Sequence, residues 1–255
     1  MMRGSRIISE SFRGCQINLK LADGVNQSDY YSDFLLEKIW ARIKRLVSKR
    51  EIHLLEIGTG RGYLSIILAK TFSRIVHIVA TDIERQAIRL ARQNVKLNGL
   101  AKRIEILKGN LFEPVGDKKF DVILSVPPQI PISIDAIRKL IPSVPAYHAT
   151  TSVGGDDGRE ILNPLIKQAA NHLNPGGFIA FVHADFASPR KTLKLMRSNN
   201  LIPQILGKRR KLLEKTTLTR LSKDIIERTG YRFRKDKNGK NMFDILVFSG
   251  TYGPY

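Results

Sequence analysis

The stretch LLEIGTGRGYLSI, residues 54–66, joins a short apolar run to a helical pattern through three glycines at G-x-G-x-G spacing. Gly58, Gly60 and Gly62 permit a positive φ and let a ligand approach the backbone closely. The helix that follows presents free N–H donors at its first turn. A dinucleotide-binding loop would space its glycines as G-x-G-x-x-G. Glu56, just before the loop, disfavours a pyrophosphate and favours a positively charged ligand.

Strand-like and helix-like patterns alternate on both sides of this loop. Short apolar runs bounded by turn residues predict strands at 52–58, 74–82, 103–109, 119–125 and 178–184. Apolar residues at helical spacing predict helices at 31–47, 63–72, 84–100, 158–173 and 188–201. This alternation favours an α/β fold with a mostly parallel sheet covered by helices on both faces. Residues 231–250 predict an antiparallel C-terminal hairpin that turns at Asn238 and Gly239.

The chain of 255 residues is long enough for one large α/β domain with a single core. We expect residues 1–50 to form an N-terminal segment with one helix, and residues 51–255 to form the main domain. A basic stretch around 206–230 is predicted to be a helical insertion into that domain.

Positive charge is the main compositional signal, because 43 Lys and Arg stand against 23 Asp and Glu, a net charge of +20. Residues 190–240 alone hold 17 basic and 4 acidic residues. A polyanion such as RNA, or an acidic protein surface, would match this balance. A solvated face of an added helix would give the same composition, so both interpretations stay open.

Other features limit the class of protein. No stretch reaches the roughly 18 unbroken apolar residues of a membrane helix, and the first residues lack the apolar core of a secretion signal. We therefore expect a cytoplasmic protein without membrane contact. The single cysteine, Cys15, excludes an internal disulfide and a Cys-based zinc site. The His, Asp and Glu residues show no metal-ligand spacing, so no metal is expected.

Further motifs follow the glycine loop in a fixed order: Asp82 at the end of the next strand, GNLFEP at 109–114 and LNPGG at 173–177. With these motifs the chain resembles the class I S-adenosylmethionine (SAM)-dependent methyltransferases. The resemblance implies a Rossmann-like sheet of seven strands and SAM as the cofactor, with Asp82 on the ribose hydroxyls and Asn110 at the adenine. The implied cofactor-binding residues are Glu56, Gly58, Thr59, Gly60, Gly62, Asp82, Ile83, Asn110 and Leu111.

Within that class, FDVILSVPPQI at 120–130 resembles the FDLIVSNPPYI segment of the release-factor glutamine methyltransferases, and GGDDG at 154–158 matches their GGxDG. In those enzymes the rigid proline turn holds a backbone carbonyl and the Asn side chain against the target nitrogen. The resemblance implies that the turn orients the acceptor beside the methyl sulfonium. The implied acceptor-site residues are Ser125, Val126, Pro127, Pro128 and Gln129.

The proline turn departs from its relatives at two positions, because Val126 replaces Asn and Gln129 replaces the aromatic residue. The acceptor therefore stays open. The first hypothesis is methyl transfer to a nitrogen of a protein or another macromolecule, with protein or RNA favoured over a small molecule. The alternatives are a small-molecule N-, S- or O-methyltransferase and a non-catalytic SAM- or RNA-binding protein. His148 and His183 are candidate general bases, whereas Asp156 and Asp157 are expected to cap a helix.

Overall fold

The computed structural model describes residues 6–21, 30–140, 152–213, 223 and 225–253. Within these residues, a large mixed sheet has the strand order β5-β4-β3-β6-β7-β10-β8, and the short strand β9 pairs with β10. Seven strands thus follow one another across the sheet, as the sequence predicts, and helices flank it.

Five strands form the parallel half of the sheet. They are β3 (Ile52–Ile57), β4 (Ile75–Asp82), β5 (Ile104–Lys108), β6 (Phe120–Ser125) and β7 (Leu173–Ala184). Their apolar residues are buried on both faces, as expected for a parallel sheet covered by helices. All five run in one direction, so their carboxyl ends meet at one edge, where α/β sheets bind ligands.

The antiparallel part consists of β8 (Leu201–Leu212), β9 (Arg234–Lys235) and β10 (Asn241–Tyr252). β10 lies between β7 and β8 and is antiparallel to both. The predicted hairpin is confirmed, since Asn241 pairs with Lys235 across a turn in which Gly239 has a φ of 75°. The predicted basic helical insertion is wrong for residues 206–212, which belong to β8. Residues 225–229 are helical, and residues 214–222 lie outside the described part.

The LNPGG motif lies inside β7 rather than in a turn before it. Phe120 pairs with Leu173 and Val122 pairs with Phe178, so a single residue of β6 stands opposite 174–177. Such a bulge bends a strand locally. A side chain at Gly177 would approach two backbone oxygens to 2.9 Å, which explains why only glycine fits.

Helices pack against the sheet through their apolar faces. They are α1 (Tyr30–Lys49), α2 (Tyr63–Thr71), α3 (Arg85–Leu97), α4 (Ile134–Leu140), α5 (Leu162–Ala169) and α6 (Pro189–Arg197). Short 3₁₀ turns occupy Glu113–Val115, Ala170–His172 and Asp185–Ala187. The helices and the sheet share one core of buried apolar residues.

An N-terminal hairpin, which the sequence did not predict, is formed by β1 (Ile7–Phe12) and β2 (Cys15–Lys20). Ile17 and Leu19 point into the common core. The side chain of Asn94 on α3 accepts a hydrogen bond from the Lys20 amide at 2.7 Å and donates to the Arg61 carbonyl at 2.9 Å. The hairpin is therefore joined to the glycine loop through α3.

Candidate active site

A cavity of about 210 Å³ lies at the carboxyl edge of the parallel strands. The residues that follow β3, β4, β5 and β6 all reach it. Its lining contains Tyr31, Ser32, Glu56, Ile57, Gly58, Thr59, Gly60, Arg61, Tyr63, Leu64, Thr81, Asp82, Ile83, Glu84, Gly109, Asn110, Leu111, Val126, Pro128 and Ile161. Most of the expected cofactor-binding residues and part of the proline turn therefore share one cavity.

The glycine loop wraps the end of β3 in a conformation that favours glycine. Gly58, Gly60 and Gly62 have φ values of 76°, 55° and 84°, a region where a side chain would strain the backbone. The amides of Gly58 and Thr59 both donate to the Thr81 carbonyl at 2.9 Å, which pins the loop to the end of β4. Gly62 does not line the cavity; it stands at the start of α2.

Glu56 is 2% exposed and lies beneath the loop. Its Oε2 atom accepts hydrogen bonds from the Thr59 hydroxyl at 2.9 Å, from the Ser65 amide at 3.2 Å and from the Ser65 hydroxyl. Burial raises the pKa of Glu56 to about 7, and the nearby charge of Asp82 acts in the same direction. A positively charged ligand in the cavity would lower this pKa again and hold the carboxylate ionised.

Asp82 ends β4 beside Glu56. One of its carboxylate oxygens accepts the Gly60 amide at 2.8 Å and the other accepts the Glu84 amide at 3.0 Å. Burial raises its pKa, against the effect of these backbone bonds. Each carboxylate oxygen retains a further lone pair, so the group fits a pair of ribose hydroxyls as its ligand.

The residues that follow β4 and β5 add Ile83, Asn110 and Leu111 to the lining. Ile83 is 58% exposed, which leaves an apolar surface for a planar ring. Leu111 has a φ of 47°, an uncommon conformation for a residue with a side chain, and its carbonyl accepts the Thr81 hydroxyl at 3.3 Å. A side chain at Gly109 would collide with Pro114 at 2.2 Å, so the turn before Asn110 requires glycine. These residues and the two carboxylates fit SAM.

The proline turn contributes Val126 and Pro128 to the cavity, while Ser125, Pro127 and Gln129 are absent from its lining. The Ser125 hydroxyl donates to the Ile57 carbonyl at 2.9 Å and ties β6 to β3. The side-chain oxygen of Gln129 accepts the Ala184 amide, and Gln129 is buried. Gln129 therefore ties the turn to β7, and its place at the acceptor site stays a prediction.

The GGDDG loop lies against the backbone of the turn. A side chain at Gly154 would approach the Gln129 Cα atom to 2.7 Å, and one at Gly158 would approach the Gln129 carbonyl oxygen to 2.4 Å. The Ile130 amide donates to the Ser152 carbonyl at 2.9 Å, and the Gly154 amide donates to the Ile130 carbonyl at 2.8 Å. The two motifs thus form one interlocked unit.

The two aspartates of this loop make different kinds of contact. Asp157 accepts the Arg159 amide at 3.1 Å, a local bond that stabilises the loop ahead of α5. Asp156 pairs with Arg228 of the helical residues 225–229. The loop that supports the acceptor turn is therefore also connected to the C-terminal basic region.

His183 is not placed to act as a base. It is fully buried, its ring stacks on Phe248 at 4.3 Å, and it is absent from the cavity lining. Its Nδ1–H donates to the Ala184 carbonyl at 2.8 Å, so Nε2 accepts the Thr192 hydroxyl at 2.9 Å. Burial lowers its pKa to about 3, which keeps the ring neutral. His148 lies outside the described residues.

One wall of the cavity was missed by the sequence analysis. Tyr31 and Ser32 come from α1, and Arg61 and Tyr63 flank the start of α2. The Tyr63 hydroxyl donates to Asp33, and Arg61 pairs with Glu10 of the hairpin at 2.9 Å. The motif Y-Y-S-D at the start of α1 was the available signal, but nothing in the sequence locates α1 relative to the glycine loop.

The described residues also bear on membrane-spanning segments and metal sites. No helix among them is long and apolar enough to cross a bilayer. No group of three or more His, Cys, Asp or Glu side chains among them is arranged to hold a metal ion.

Comparison with known sequences gives consistent matches. The methyltransferase small domain family model matches residues 24–143. A Methanocaldococcus jannaschii protein, whose name gives it as a protein N5-glutamine methyltransferase, is 36% identical over 155 residues, 61% of this chain and 73% of that protein. The Geobacter sulfurreducens release factor glutamine methyltransferase is 36% identical over 126 residues, 49% of this chain and 43% of its own length. The chain thus spans less than half of this bacterial relative.

Solved structures with low sequence identity share the fold. The T. thermophilus 16S rRNA N2 G1207 methyltransferase, solved with AdoMet and guanosine, matches 97% of this chain and 50% of its own, with a TM-score of 0.64 and 18% identity. The ribosomal protein L11 methylase of Lactobacillus delbrueckii matches 89% of this chain and 82% of its own, with a TM-score of 0.54 and 20% identity.

Proposed function

Because the chain belongs to the family of SAM-dependent methyltransferases that includes the protein N5-glutamine methyltransferases, we propose that it methylates a nitrogen of a protein or another macromolecule, a protein foremost. One observation carries this proposal. The GGDDG loop is interlocked with the backbone of the proline turn, beside a cavity that is also lined by the carboxylates of Glu56 and Asp82. Loop and turn are the two motifs shared with the glutamine methyltransferases.

SAM supplies a methyl group on a positively charged sulfur, which is the electrophile of the reaction. We assign Glu56 and the glycine loop to the charged amino-acid end of this cofactor. Asp82 accepts the ribose hydroxyls, and Ile83, Asn110 and Leu111 surround the adenine. The carboxylates and the left-handed glycines support this assignment.

The proline turn would orient the acceptor nitrogen through its backbone. The carbonyls of Ser125 and Val126 follow the end of β6, and they would accept N–H bonds from the nitrogen so that its lone pair faces the methyl group. A nitrogen–carbon bond forms as the sulfur–carbon bond breaks, and the acceptor loses one proton to water. Orientation of this kind is a large part of the catalysis of such a displacement.

A small-molecule acceptor is the second candidate, and one observation favours it. Val126 stands where the relatives that the motif resembles carry Asn, and together with Pro128 it presents apolar surface to the cavity. An uncharged nucleophile such as a thioether needs no hydrogen-bond acceptor, so it would fit an apolar wall.

The compartment and the partner follow from the same proposal. We expect the protein to act in the cytoplasm, on a macromolecular acceptor that is either a protein or an RNA. The relatives named for release factor glutamine methylation support a protein, and the net charge of +20 is compatible with either acceptor.

The deciding experiment supplies SAM with a radiolabelled methyl group to a lysate separated into protein, RNA and small-molecule pools. The wild-type chain is compared with Asp82→Ala, which is expected to bind the cofactor poorly. Label that depends on Asp82 and appears in protein supports the proposal, and mapping should place it on a nitrogen.

Label confined to the small-molecule pool would replace the proposal by the second candidate. Bound SAM without label in any pool would indicate a non-catalytic SAM-binding protein. Raising the salt concentration separates the classes further, because binding of a charged macromolecule weakens steeply with salt.

A further inference from the structure

Four consecutive basic residues end β8 at the same edge of the sheet as the cavity. β8 runs parallel to β7, because both are antiparallel to β10. Its last residues therefore lie at the carboxyl edge, two strands beyond β7. A bulge at Leu206 and Gly207 directly precedes the basic residues, and bulges at sheet edges often redirect side chains. We call Lys208, Arg209, Arg210, Lys211 and Arg234 the basic ledge.

One face of the basic ledge is organised by a buried carboxylate. Asp244 on β10 has a side chain that is 4% exposed, and it contacts Lys208 at 3.3 Å, Arg210 at 3.3 Å and Arg234 at 2.6 Å. Burial alone would raise the pKa of Asp244, but the bonds from these three cations outweigh it and lower the pKa. More than half of the Lys208 and Arg210 side chains stays exposed, so Asp244 fixes them while leaving donors toward solvent.

The other face of the ledge extends toward the cavity. Arg209 pairs with Glu37 and lies over the Phe34 ring at 4.3 Å. Lys211 lies over the Tyr30 ring at 4.5 Å and the Tyr31 ring at 5.4 Å. Tyr31 lines the cavity, so the ledge begins one side chain away from the cavity wall.

Several cations of the ledge share one carboxylate. Lys208, Arg210 and Arg234 all contact Asp244, and Arg234 also pairs with Asp185. Among the described residues, no strand pairs with the outer side of β8. An extended strand places alternate residues about 6.8 Å apart on one face, which gives each face of the ledge a short row of cations.

We propose that the basic ledge binds the phosphate backbone of an RNA. Guanidinium groups match phosphate oxygens with two parallel hydrogen bonds, and a row of cations suits a chain with regularly repeated charges. The excess of positive charge is concentrated in residues 190–240, which hold 17 basic and 4 acidic residues, and a high local density of cations suits a long polyanion better than a short acidic peptide. This RNA contact is separate from the proposed methyl transfer and stands whether the acceptor is a protein or a small molecule.

The test measures binding of a fluorescent 20-nucleotide single-stranded RNA of mixed sequence by anisotropy, at KCl concentrations from 50 to 400 mM. The ledge variant is Lys208→Gln with Arg210→Gln. The matched control is Lys96→Gln with Lys102→Gln, which removes two exposed charges near the opposite edge, at the end of α3 and before β5. Calorimetric SAM binding and a thermal melt show that each variant is folded.

Each phosphate contact contributes about 0.7 to the slope of log K against log salt for single strands. The ledge variant should therefore lose about 1.4 from this slope and bind RNA about tenfold more weakly at 0.1 M KCl, whereas the control keeps the wild-type slope. The double variant Arg209→Gln with Lys211→Gln measures the same change in slope for the other face of the ledge.

If the ledge and control variants had equal slopes of log K against log salt, the proposal would be overturned, because the electrostatic attraction for RNA would then come from the whole surface and not from the ledge. The RNA proposal would also be overturned if polyglutamate of the same charge bound as tightly as the RNA, because the partner would then be an acidic protein. Neither result would affect the methyl-label experiment, so the two proposals fail separately.

Discussion

The two halves of the cavity are built in different ways. The half that we assign to the cofactor contains the left-handed glycines Gly58 and Gly60, the buried carboxylate of Glu56 and the half-buried carboxylate of Asp82. The half that we assign to the acceptor presents the side chains of Val126 and Pro128, while the polar groups of Ser125 and Gln129 bind to neighbouring strands. One half is made of groups that recognise a ligand, and the other is a rigid frame.

This difference explains why the cofactor was easier to infer than the acceptor. Charged and backbone groups that point into a cavity specify the chemistry of their ligand. A frame whose own side chains are apolar constrains the position of the acceptor but says less about its identity. Four substitutions or conditions separate the halves, and they are ordered by the size of the expected effect.

Replacing Gly158 by Ala should distort the proline turn, which we assign to the acceptor half. Its φ is +74°, and the new side chain would lie 2.4 Å from the Gln129 carbonyl oxygen. We expect a loss of about 2–4 kcal/mol in the free energy of unfolding, from backbone strain and the collision together. Denaturant unfolding measures this loss.

Gly99→Ala is the control for Gly158→Ala, because Gly99 has a φ of +72° and nothing within 4 Å of the added atom. It should lose only about 1–2 kcal/mol. The folded Gly158→Ala protein should keep SAM affinity within about threefold of wild type. A loss of SAM binding as large as the loss of methyl transfer would show that the halves are not separable.

Replacing Asp82 by Ala should weaken SAM binding in the cofactor half. Loss of a charge-assisted pair is expected to weaken SAM binding by about 1–3 kcal/mol, measured by calorimetry. Asp117→Ala, an exposed carboxylate outside the cavity lining, should leave the affinity unchanged. An unchanged affinity in Asp82→Ala would remove Asp82 from the site.

The pH dependence of SAM binding should report Glu56. Its pKa of about 7 in the free protein means that the carboxyl is mostly protonated at pH 6 and mostly ionised at pH 8. Affinity for a positively charged ligand should therefore rise by up to about tenfold across this interval, with release of a proton. Calorimetry in buffers of different ionisation enthalpy measures that proton.

Stability of the free protein should move in the opposite direction. Because the folded pKa of Glu56 lies above the usual value of 4.5, the folded state holds the proton more tightly. The contribution to stability is full below about pH 4.5 and is lost as pH rises through 7. Glu56→Gln should remove this pH dependence both from SAM affinity and from the stability of the free protein. If the SAM affinity of the Glu56→Gln protein still rises with pH, another group causes the rise.

Replacing Val126 by Asn should have the smallest effect on the cofactor half. Val126 lines the cavity in the part that we assign to the acceptor, and Asn adds a hydrogen-bonding side chain there. Acceptor choice should shift while SAM affinity changes by less than about twofold. A large loss of SAM affinity in this variant would instead show that the turn contacts the cofactor directly.

Local patterns predicted the parallel half of the fold, and motifs shared with a known family predicted residues that line one cavity. Alternating strands and helices identify a covered parallel sheet, and the carboxyl ends of its strands bring Gly58, Asp82 and Asn110 together. Those relations follow from chain order alone. The wall made by Tyr31 and Tyr63 does not, because it depends on how α1 packs across the sheet.

Two sequence-based expectations were wrong because tertiary packing decides them. His183 lies near the carboxyl end of β7, at the edge of the sheet where ligands bind, but its ring is buried in the core and stacks on Phe248. Residues 206–212 are rich in good helix formers, yet they pair with β10 because that strand offers a free edge. A neighbouring strand overrides local propensity.

The hairpin β1–β2 has a consequence for the size of the working unit. Asn94 bonds both to Lys20 and to the Arg61 carbonyl, and Glu10 holds the Arg61 side chain. A truncated chain that began at α1 would retain every motif identified in the sequence but lose these supports of the glycine loop. The smallest autonomous unit with full cofactor affinity is therefore longer than the motifs themselves, and it starts within the hairpin.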